Sequence, residues 1–289
     1  LAGVAMLYLA GLSALGGELS VAGLAVKGTA LAFLVYALNR WFAARVRLAR
    51  ARRAAADIAE FLDRRGEAGQ GLDAEFLQPL SRRLDFVGVS LREPGTGRMI
   101  LEGVTLSVPA GSKAAVVYAD QTEAHALAYL IVRFLDPTAG EVKVDGKNVR
   151  WVTYESLRTQ VGLVLEQSLT FSDTVLNNIG CGDPGFTLPQ VIDAAKKAHA
   201  HQFIQHLPYG YETPVGDGGV TLTVGQRFRV ALARALLRDP SILLIEEPSE
   251  PVDPDSLALI DDAIAQAQPG RTLFFLARRP ATVKSADRV

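Results

Sequence analysis

The sequence predicts an α/β domain preceded by apolar helices, and three observations support this prediction. From residue 84 onward, short runs rich in β-branched and aromatic residues alternate with helical runs, which is typical of a largely parallel, buried sheet. The run ILLIEE at residues 242–247 places four apolar residues in succession, so it cannot alternate between a buried and a solvent face. Residues 1–39, in contrast, contain only two charged side chains, Glu18 and Lys27.

Each element of the α/β part is predicted from a local pattern. Runs of six to nine residues dominated by valine, isoleucine, leucine and phenylalanine predict strands. Longer runs with apolar residues three and four apart predict helices. The predicted strands cover residues 84–91, 100–108, 113–118, 141–146, 160–166, 242–247 and 272–277. The predicted helices cover residues 124–134, 188–207, 225–238 and 255–267, and a helical subdomain is expected between about residues 155 and 238.

The apolar beginning predicts membrane-spanning helices. Residues 19–39 hold one charge, Lys27, and about 20 residues is the length with which an α-helix crosses ~30 Å of hydrocarbon. Residues 1–17 are uncharged and are predicted to end a preceding crossing, so that residues 1–53 form a transmembrane hairpin. An amphipathic helix pair in a soluble core is the alternative. Arginines that indicate the cytoplasmic side follow the run: Arg40, Arg45, Arg47, Arg50, Arg52 and Arg53.

A helix and a linker are predicted between the two parts. Residues 54–65 continue an alanine- and arginine-rich helix that ends at Gly66, and the stretch GEAGQGLDAEFLQPLSRR holds three glycines and one proline. We therefore assign residues 54–83 to a cytosolic helix and linker, and residues 84–289 to the domain that follows. Because the chain begins apolar, without an initiator methionine or a basic leader, it is interpreted as a fragment.

Composition narrows the classes of function. Thirty Lys and Arg residues against 31 Asp and Glu give a net charge of −1, which excludes a broad basic surface for nucleic acid. Hydrophobic residues make up 49% and the mean hydropathy is +0.18, which is high for a soluble enzyme. The single cysteine, Cys181, allows neither an internal disulfide nor a cysteine zinc cluster. Three histidines on one predicted helix, His199, His201 and His206, are interpreted as solvated side chains rather than metal ligands.

The order of motifs in residues 222–253 carries a family resemblance. LTVGQRFRVALARALLRDPSILLIEEPSEPVD runs without a gap from a signature-like pentapeptide through an arginine-bearing helix and an acidic strand end to a loop that ends in aspartate. The stretches RFLDPTAGEVKVDG, FSDTVLNNI and HQFIQHLPYGYETPVGDGG agree with the same pattern. The sequence thus resembles the nucleotide-binding domain of ABC transporters of the exporter type, whose signature reads LSGGQ. The resemblance implies a P-loop NTPase-like fold with a helical subdomain, truncated at its C-terminal end, and implies ATP and Mg²⁺ as ligands.

In that family the signature and the loop after the acidic strand face the nucleotide held by the opposite domain of a dimer. Val224 replaces a signature glycine where the backbone passes close to phosphate. Glu247 lies at the position of the family's general base, and a solvated acid at a strand end is the alternative. The resemblance assigns the partner-facing role to Leu222, Thr223, Val224, Gly225, Gln226 and Asp253.

The phosphate-binding loop departs from the family pattern. Such a loop reads G-x-x-x-x-G-K-S/T, because glycines let backbone N–H groups surround phosphate, the lysine adds positive charge and the hydroxyl holds Mg²⁺. Residues 118–126 read YADQTEAHA, contain no glycine, and add a negative charge at Asp120. The altered positions are Tyr118, Gln121, Glu123, Ala124 in place of the lysine, His125 in place of the hydroxyl, and Ala126.

Four further positions that contact nucleotide from the chain's own side also differ. Glu93 replaces an adenine-stacking aromatic residue, and Glu166 replaces a glutamine that senses Mg²⁺. A register shifted by one residue, which places Gln167 at that position, is the alternative. Arg278 replaces the histidine that contacts the γ-phosphate, and Glu246 replaces the metal-side aspartate. Together these changes predict that the chain binds Mg-ATP weakly or not at all.

Three functions are open from the sequence. The favoured one is an exporter subunit in the inner cell membrane, with residues after about 40 in the cytoplasm, that supports ATP hydrolysis by a second half-transporter. A heterodimer is favoured over a homodimer, membrane lipid is the other expected partner, and the transported substrate is undefined. A catalytically active ATPase subunit and a decayed gene product are the alternatives.

Overall fold

The computed structural model describes residues 21–63, 73–93, 95–165 and 170–289, together with residues 8, 11 and 12. Contacts divide the chain into two units, Leu1–Gly66 and Glu67–Val289. The first unit is built on one long helix, and the second is the α/β domain.

The long helix, α1, spans Val21–Asp63, and its 43 residues extend about 65 Å at 1.5 Å per residue. The helix predicted within residues 19–65 is therefore confirmed. Apolar side chains along it, such as Phe33 and Phe42, are exposed. Within the described ranges, no helix has both the length and the apolar character needed to span a membrane. The predicted crossing at residues 19–39 is not confirmed, and nearly all of the segment 1–17 lies outside the described residues.

The second unit alternates strands and helices, and all seven predicted strands are present. Its strands are β1 Arg83–Arg92, β2 Met99–Pro109, β3 Lys113–Val117, β4 Ala139–Val144, β5 Lys147–Asn148, β6 Val161–Val164, β7 Asp173–Thr174, β8 Pro214–Val215, β9 Ile242–Glu246 and β10 Thr272–Ala277. Its helices are α2 Gln121–Ile131, α3 Tyr154–Gln160, α4 Val175–Gly180, α5 Leu188–Lys197, α6 His201–Gln205, α7 Val224–Leu237, α8 Pro254–Ala267 and α9 Pro280–Lys284.

Two four-stranded sheets form the body of the domain. One is antiparallel, in the order β2-β1-β4-β5, and the other is parallel, in the order β3-β10-β9-β6. The parallel sheet is buried on both faces, since residues 242–245 of β9 are fully buried. Because parallel strands carry their carboxyl ends to one edge, the loops after β3, β9 and β10 meet there.

Helices α4, α5 and α7 and the small sheet β7-β8 form the helical part of the domain. The single helix predicted for residues 188–207 is wrong, because the chain breaks between α5 and α6. His199 lies in this break with a φ of 51°, a left-handed conformation that an α-helix does not accept. His199 therefore does not share a helix with His201.

Part of the segment predicted as a linker packs onto the domain. The backbone N–H of Glu75 donates to the carbonyl of Trp151 at 2.8 Å, and the N–H of Thr153 donates to the carbonyl of Glu75 at 2.9 Å. Leu77 is only 2% exposed. These contacts anchor the chain ahead of β1.

Candidate functional site

The carboxyl edge of the parallel sheet brings together residues predicted for the nucleotide site. Val117, at the end of β3, is in register with Ala277, at the end of β10. Glu246, at the end of β9, is in register with Leu276. The next residues along these three strands are all predicted site positions: Tyr118, Glu247 and Arg278.

Asp120 occupies the start of helix α2, directly after β3. It is the N-cap residue, and its Oδ1 atom accepts the backbone N–H of Thr122 at 2.8 Å. Its Oδ2 atom lies 3.2 Å from Nη2 of Arg98, in the turn between β1 and β2. The hydrogen bond from Thr122, with a smaller effect of Arg98, lowers the pKa of Asp120. A carboxylate of the chain itself thus satisfies the positive end of α2.

The loop from β3 to α2 does not have the backbone of a phosphate-binding nest. Residues 118–126 are all described, and none has a positive φ. Ala124, predicted to occupy the lysine position, is fully buried and Ala126 is 3% exposed, whereas Glu123 is exposed in the first turn of α2. The guanidinium of Arg278 lies 5.5 Å from the ring centre of Tyr118.

The carboxylate of Glu246 is surrounded by other predicted site residues. It is fully buried, and Nε2 of His125 lies 2.9 Å from its Oε1 atom and 3.0 Å from its Oε2 atom. The side-chain amide of Gln121 donates to Oε1 at 3.0 Å, and Nη2 of Arg278 lies 3.9 Å from the same oxygen. A buried carboxylate requires such partners.

Glu247, the predicted general base, is bound inside the domain and is 2% exposed. Its Oε2 atom accepts the backbone N–H groups of Arg278 and Arg279, each at 2.7 Å. Its Oε1 atom accepts Nε of Arg279 at 2.7 Å and the hydroxyl of Thr282. Burial raises the pKa of Glu247, but the hydrogen bonds from Thr282, Arg279 and Arg278 together outweigh it and lower the pKa. Arg279 also reaches Asp261 at 2.8 Å.

Two further positions predicted to contact the chain's own nucleotide, Glu93 and Glu166, are not among the residues described around Glu246 and Glu247. Glu93 lies in the turn between β1 and β2, where it accepts the hydroxyl of Thr96 at 2.6 Å. Its backbone N–H donates to the carbonyl of Arg98 at 2.8 Å, so this turn carries the arginine that pairs with Asp120. Glu166 lies outside the described residues.

The signature residues form the start of helix α7. The backbone N–H of Gln226 donates to Oγ1 of Thr223 at 3.3 Å, and the N–H of Thr223 donates to Oε1 of Gln226 at 3.0 Å, a reciprocal capping box. Leu222 and Gly225 are buried, Val224 is half-buried and Thr223 is exposed. The start of α7 therefore has defined geometry at an accessible place.

Asp253 caps helix α8 beside the signature. Its Oδ1 atom accepts the backbone N–H of Ser256 at 2.8 Å, and this hydrogen bond lowers the pKa of Asp253. The predicted residues thus fall into two groups. The first surrounds Glu246 and Glu247, and the second lies at the starts of α7 and α8.

Sequence reasoning did not predict several residues of the first group. Arg279 and Thr282 follow the predicted site residue Arg278 closely, and that proximity was the only local signal for them. Asp261 and Arg98 come from distant segments, and their partners are defined only by the folded chain.

Comparisons with known proteins agree with this architecture. Residues 125–250 match the protein family described as ABC transporter. The chain carries an ABC exporter ATPase-like domain. The chain is 35% identical over 286 residues to an ATP-dependent lipid A-core flippase of Desulfotalea psychrophila, a match that covers 97% of this chain and 50% of that protein. It is 39% identical over 214 residues to P-glycoprotein 14 of Caenorhabditis elegans, covering 74% of this chain and 16% of that protein.

A solved structure of a bacterial Atm1-family ABC exporter with ATP bound is similar along 99% of this chain and 52% of its own, with a TM-score of 0.75 and 29% identity. The predicted ABC exporter fold is therefore confirmed. The chain spans half or less of the length of the two curated relatives named above.

Proposed function

We propose that this chain is the supporting half of an ABC exporter. In this proposal its own site does not hold Mg-ATP, and it supports ATP hydrolysis at a composite site formed with a second half-transporter. The observation that carries the proposal is the pairing of His125 with the fully buried carboxylate of Glu246, at the place where the family binds its metal.

The side chains around Glu246 do not fit Mg²⁺. This ion prefers oxygen ligands in octahedral geometry at about 2.0–2.1 Å. Here an imidazole nitrogen replaces the hydroxyl oxygen and contacts both carboxylate oxygens directly, at 2.9 and 3.0 Å. The amide of Gln121 donates to the same group. A metal ion at this place would have to displace these hydrogen bonds.

The start of α2 does not fit a polyphosphate. Asp120 caps the helix with its own carboxylate, and a phosphate at the same place would meet this negative charge. The lysine position holds Ala124, which supplies no charge. Glu123 adds a second negative charge in the first turn.

Glu247 does not act as a general base in this proposal. A base that works near neutral pH has a pKa close to that pH and a lone pair that reaches the attacking water. The hydrogen bonds to Glu247 engage both carboxylate oxygens and lower the pKa. Glu247 therefore joins β9 to the loop before α9, as a structural residue.

The signature side supports the role toward a partner. The start of α7, where Thr223 is exposed, is the positive end of a 14-residue helix, a feature that attracts anions. By family resemblance this surface, with Gln226 and Asp253, faces the nucleotide of the opposite domain. In a homodimer this surface would face a second site that cannot hold Mg-ATP. The proposed partner is therefore a different half-transporter with an intact phosphate loop.

The proposal also places the chain at the inner cell membrane, with residues after about 40 in the cytoplasm. Two features of α1 support this: exposed apolar side chains, including Phe33 and Leu34, and exposed arginines that follow them from Arg40 onward. Membrane lipid is the proposed environment of the apolar part.

The test compares two variants of the full-length subunit, co-expressed with a candidate partner, by their ATPase activity. Gln226→Ala is expected to reduce activity at least about tenfold, which corresponds to about 1.4 kcal/mol of transition-state stabilisation. Glu247→Gln is expected to have little effect, because Glu247 belongs to this chain's own site, which in the proposal does not hold Mg-ATP.

Gln190→Ala is the matched control, because Gln190 belongs to a capping box with Thr187 at the start of α5. The control removes the same kind of helix cap away from the signature, and it is expected to retain activity. The reverse ranking, with a large loss from Glu247→Gln and little loss from Gln226→Ala, would mean that this chain hydrolyses its own ATP.

A further inference from the structure

Helices α7 and α8 begin side by side, and their first turns touch at Gly225 and Ser256. Gly225 is buried in the first turn of α7, and Ser256, in the first turn of α8, is 8% exposed. A Cβ atom on Gly225 would lie 2.6 Å from the Cβ atom of Ser256 and 2.8 Å from its Oγ atom. Since carbon atoms pack at about 3.5–4.0 Å, any larger residue at 225 must displace one of the helices.

The same serine receives the cap of α8. Its backbone N–H donates to Oδ1 of Asp253 at 2.8 Å, while its side chain faces Gly225. The position of Asp253 is thereby tied, through Ser256, to the signature turn.

A buried arginine of α7 binds the signature turn. Arg229 is 6% exposed, and it donates Nε to the carbonyl of Gly225 at 3.2 Å and Nη1 to the carbonyl of His199 at 2.9 Å. Burial lowers the pKa of Arg229, and the charge of Asp253 opposes this effect. The two hydrogen bonds of Arg229 hold the carbonyl of Gly225 in place.

A second arginine joins the two loops at the surface. Arg227 donates Nη1 to the carbonyl of Leu222 at 3.1 Å, and its Nη2 atom lies 3.4 Å from Oε2 of Glu250. Leu222 begins the signature, and Glu250 lies in the loop that ends at Asp253. Arg227 thus connects the signature segment to the Asp253 loop, whereas Arg229 connects the signature turn to the chain at His199.

We infer that Gly225 and Ser256 are positioning residues whose contact holds the signature turn and the Asp253 loop as one unit. In this inference Gly225 is required for packing inside the chain, and a larger residue there is harmful because it meets Ser256. The inference explains why a valine fits at residue 224 while residue 225 is a glycine. Residue 224 is half-buried, whereas residue 225 is packed against α8. The inference rests on the proposed function, in which this unit engages the partner's nucleotide.

The test is a suppressor experiment in the full subunit, assembled with its partner half. Gly225→Ala is expected to reduce ATPase activity at least about tenfold and to lower the melting temperature by about 5 °C, a typical effect of overpacking. Ser256→Gly removes the two closest atoms that an alanine at 225 would meet, and it leaves Cγ1 of Val252, at 3.3 Å. The double variant is therefore expected to recover to within about threefold of the activity of Ser256→Gly alone.

Gly180→Ala is the matched control, because Gly180 ends helix α4 and a Cβ atom there would meet nothing within 4 Å. It is expected to behave as the unmodified subunit. A double variant that regains its melting temperature but stays as inactive as Gly225→Ala would overturn the inference, because it would show that Gly225 serves the phosphate. If Gly225→Ala does not fold, recovery of folded protein by Ser256→Gly supports the inference and its failure overturns it.

The two proposals fail in different ways. Unchanged ATPase activity in Gln226→Ala would contradict the proposed function. The melting temperatures of the Gly225 and Ser256 variants would still test the contact, and strictly additive changes would contradict it.

Discussion

Nε2 of His125 lies within 3.0 Å of both carboxylate oxygens of Glu246, although the two residues are 121 positions apart. The carboxylate is fully buried, so each of its hydrogen-bond donors contributes to its stability. His125→Ala is expected to lower the free energy of unfolding by about 2 kcal/mol. Chemical denaturation of the variant measures this loss.

His206→Ala is the control for this prediction, because His206 is exposed and binds only a nearby carbonyl in the described structure. Its effect is expected to stay within about 0.5 kcal/mol. In a double-mutant cycle, His125→Ala and Glu246→Ala are expected to show a coupling of at least about 1 kcal/mol. Additive effects would show that the two side chains do not interact.

Asp120 provides a second prediction, on the start of α2. Asp120→Ala removes both the N-cap and the ion pair with Arg98, whereas Asp120→Asn keeps a capping oxygen and removes only the ion pair. We expect the alanine variant to have the lower melting temperature of the two. Equal melting temperatures would contradict the capping role, because the cap is the feature that distinguishes the variants.

The hydrogen bonds to Glu247 predict a specific dependence of stability on pH. Because the pKa of Glu247 is lowered in the folded chain, its contribution is present above the ordinary glutamate pKa of about 4.3 and is lost as the pH falls through the folded pKa. The acid-side loss of stability is therefore expected to be shallower in Glu247→Gln than in the unmodified chain. Thermal unfolding between about pH 3 and 7 measures the difference.

Glu155→Gln is the matched control for this pH dependence, because Glu155 is exposed on α3. Its stability curve is expected to run parallel to that of the unmodified chain. A Glu247→Gln curve that also runs parallel would show that this carboxylate has an ordinary pKa.

Local patterns were sufficient to predict the seven longer strands and most of the helices, but not the two-residue strands β5, β7 and β8. Buried runs such as residues 242–246 and 272–277 leave little choice of secondary structure, and their order indicates a parallel sheet. The break at His199 was missed, because the apolar spacing continues across it and only the left-handed backbone at that residue interrupts the helix.

The chemistry of the site was predictable only in part. The sequence showed that His125 and Glu246 replace the expected residues, but it could not show that they bind each other, since β3 and β9 become neighbours of one site only through the sheet. Asp120 was recognised as a negative charge beside the loop. Its role as a helix cap depends on α2 beginning at the next residue.

The most direct test of the account is a calorimetric titration of the full subunit with Mg-ATP, with an ATP-binding Atm1-family exporter as positive control. Because His125, Gln121 and Asp120 occupy the predicted nucleotide site with their own contacts, we predict no saturable binding up to about 1 mM Mg-ATP. Thr122→Trp, which places a bulky group at the exposed start of α2, assigns any observed binding to this loop. A dissociation constant in the low micromolar range that Thr122→Trp abolishes would contradict the account.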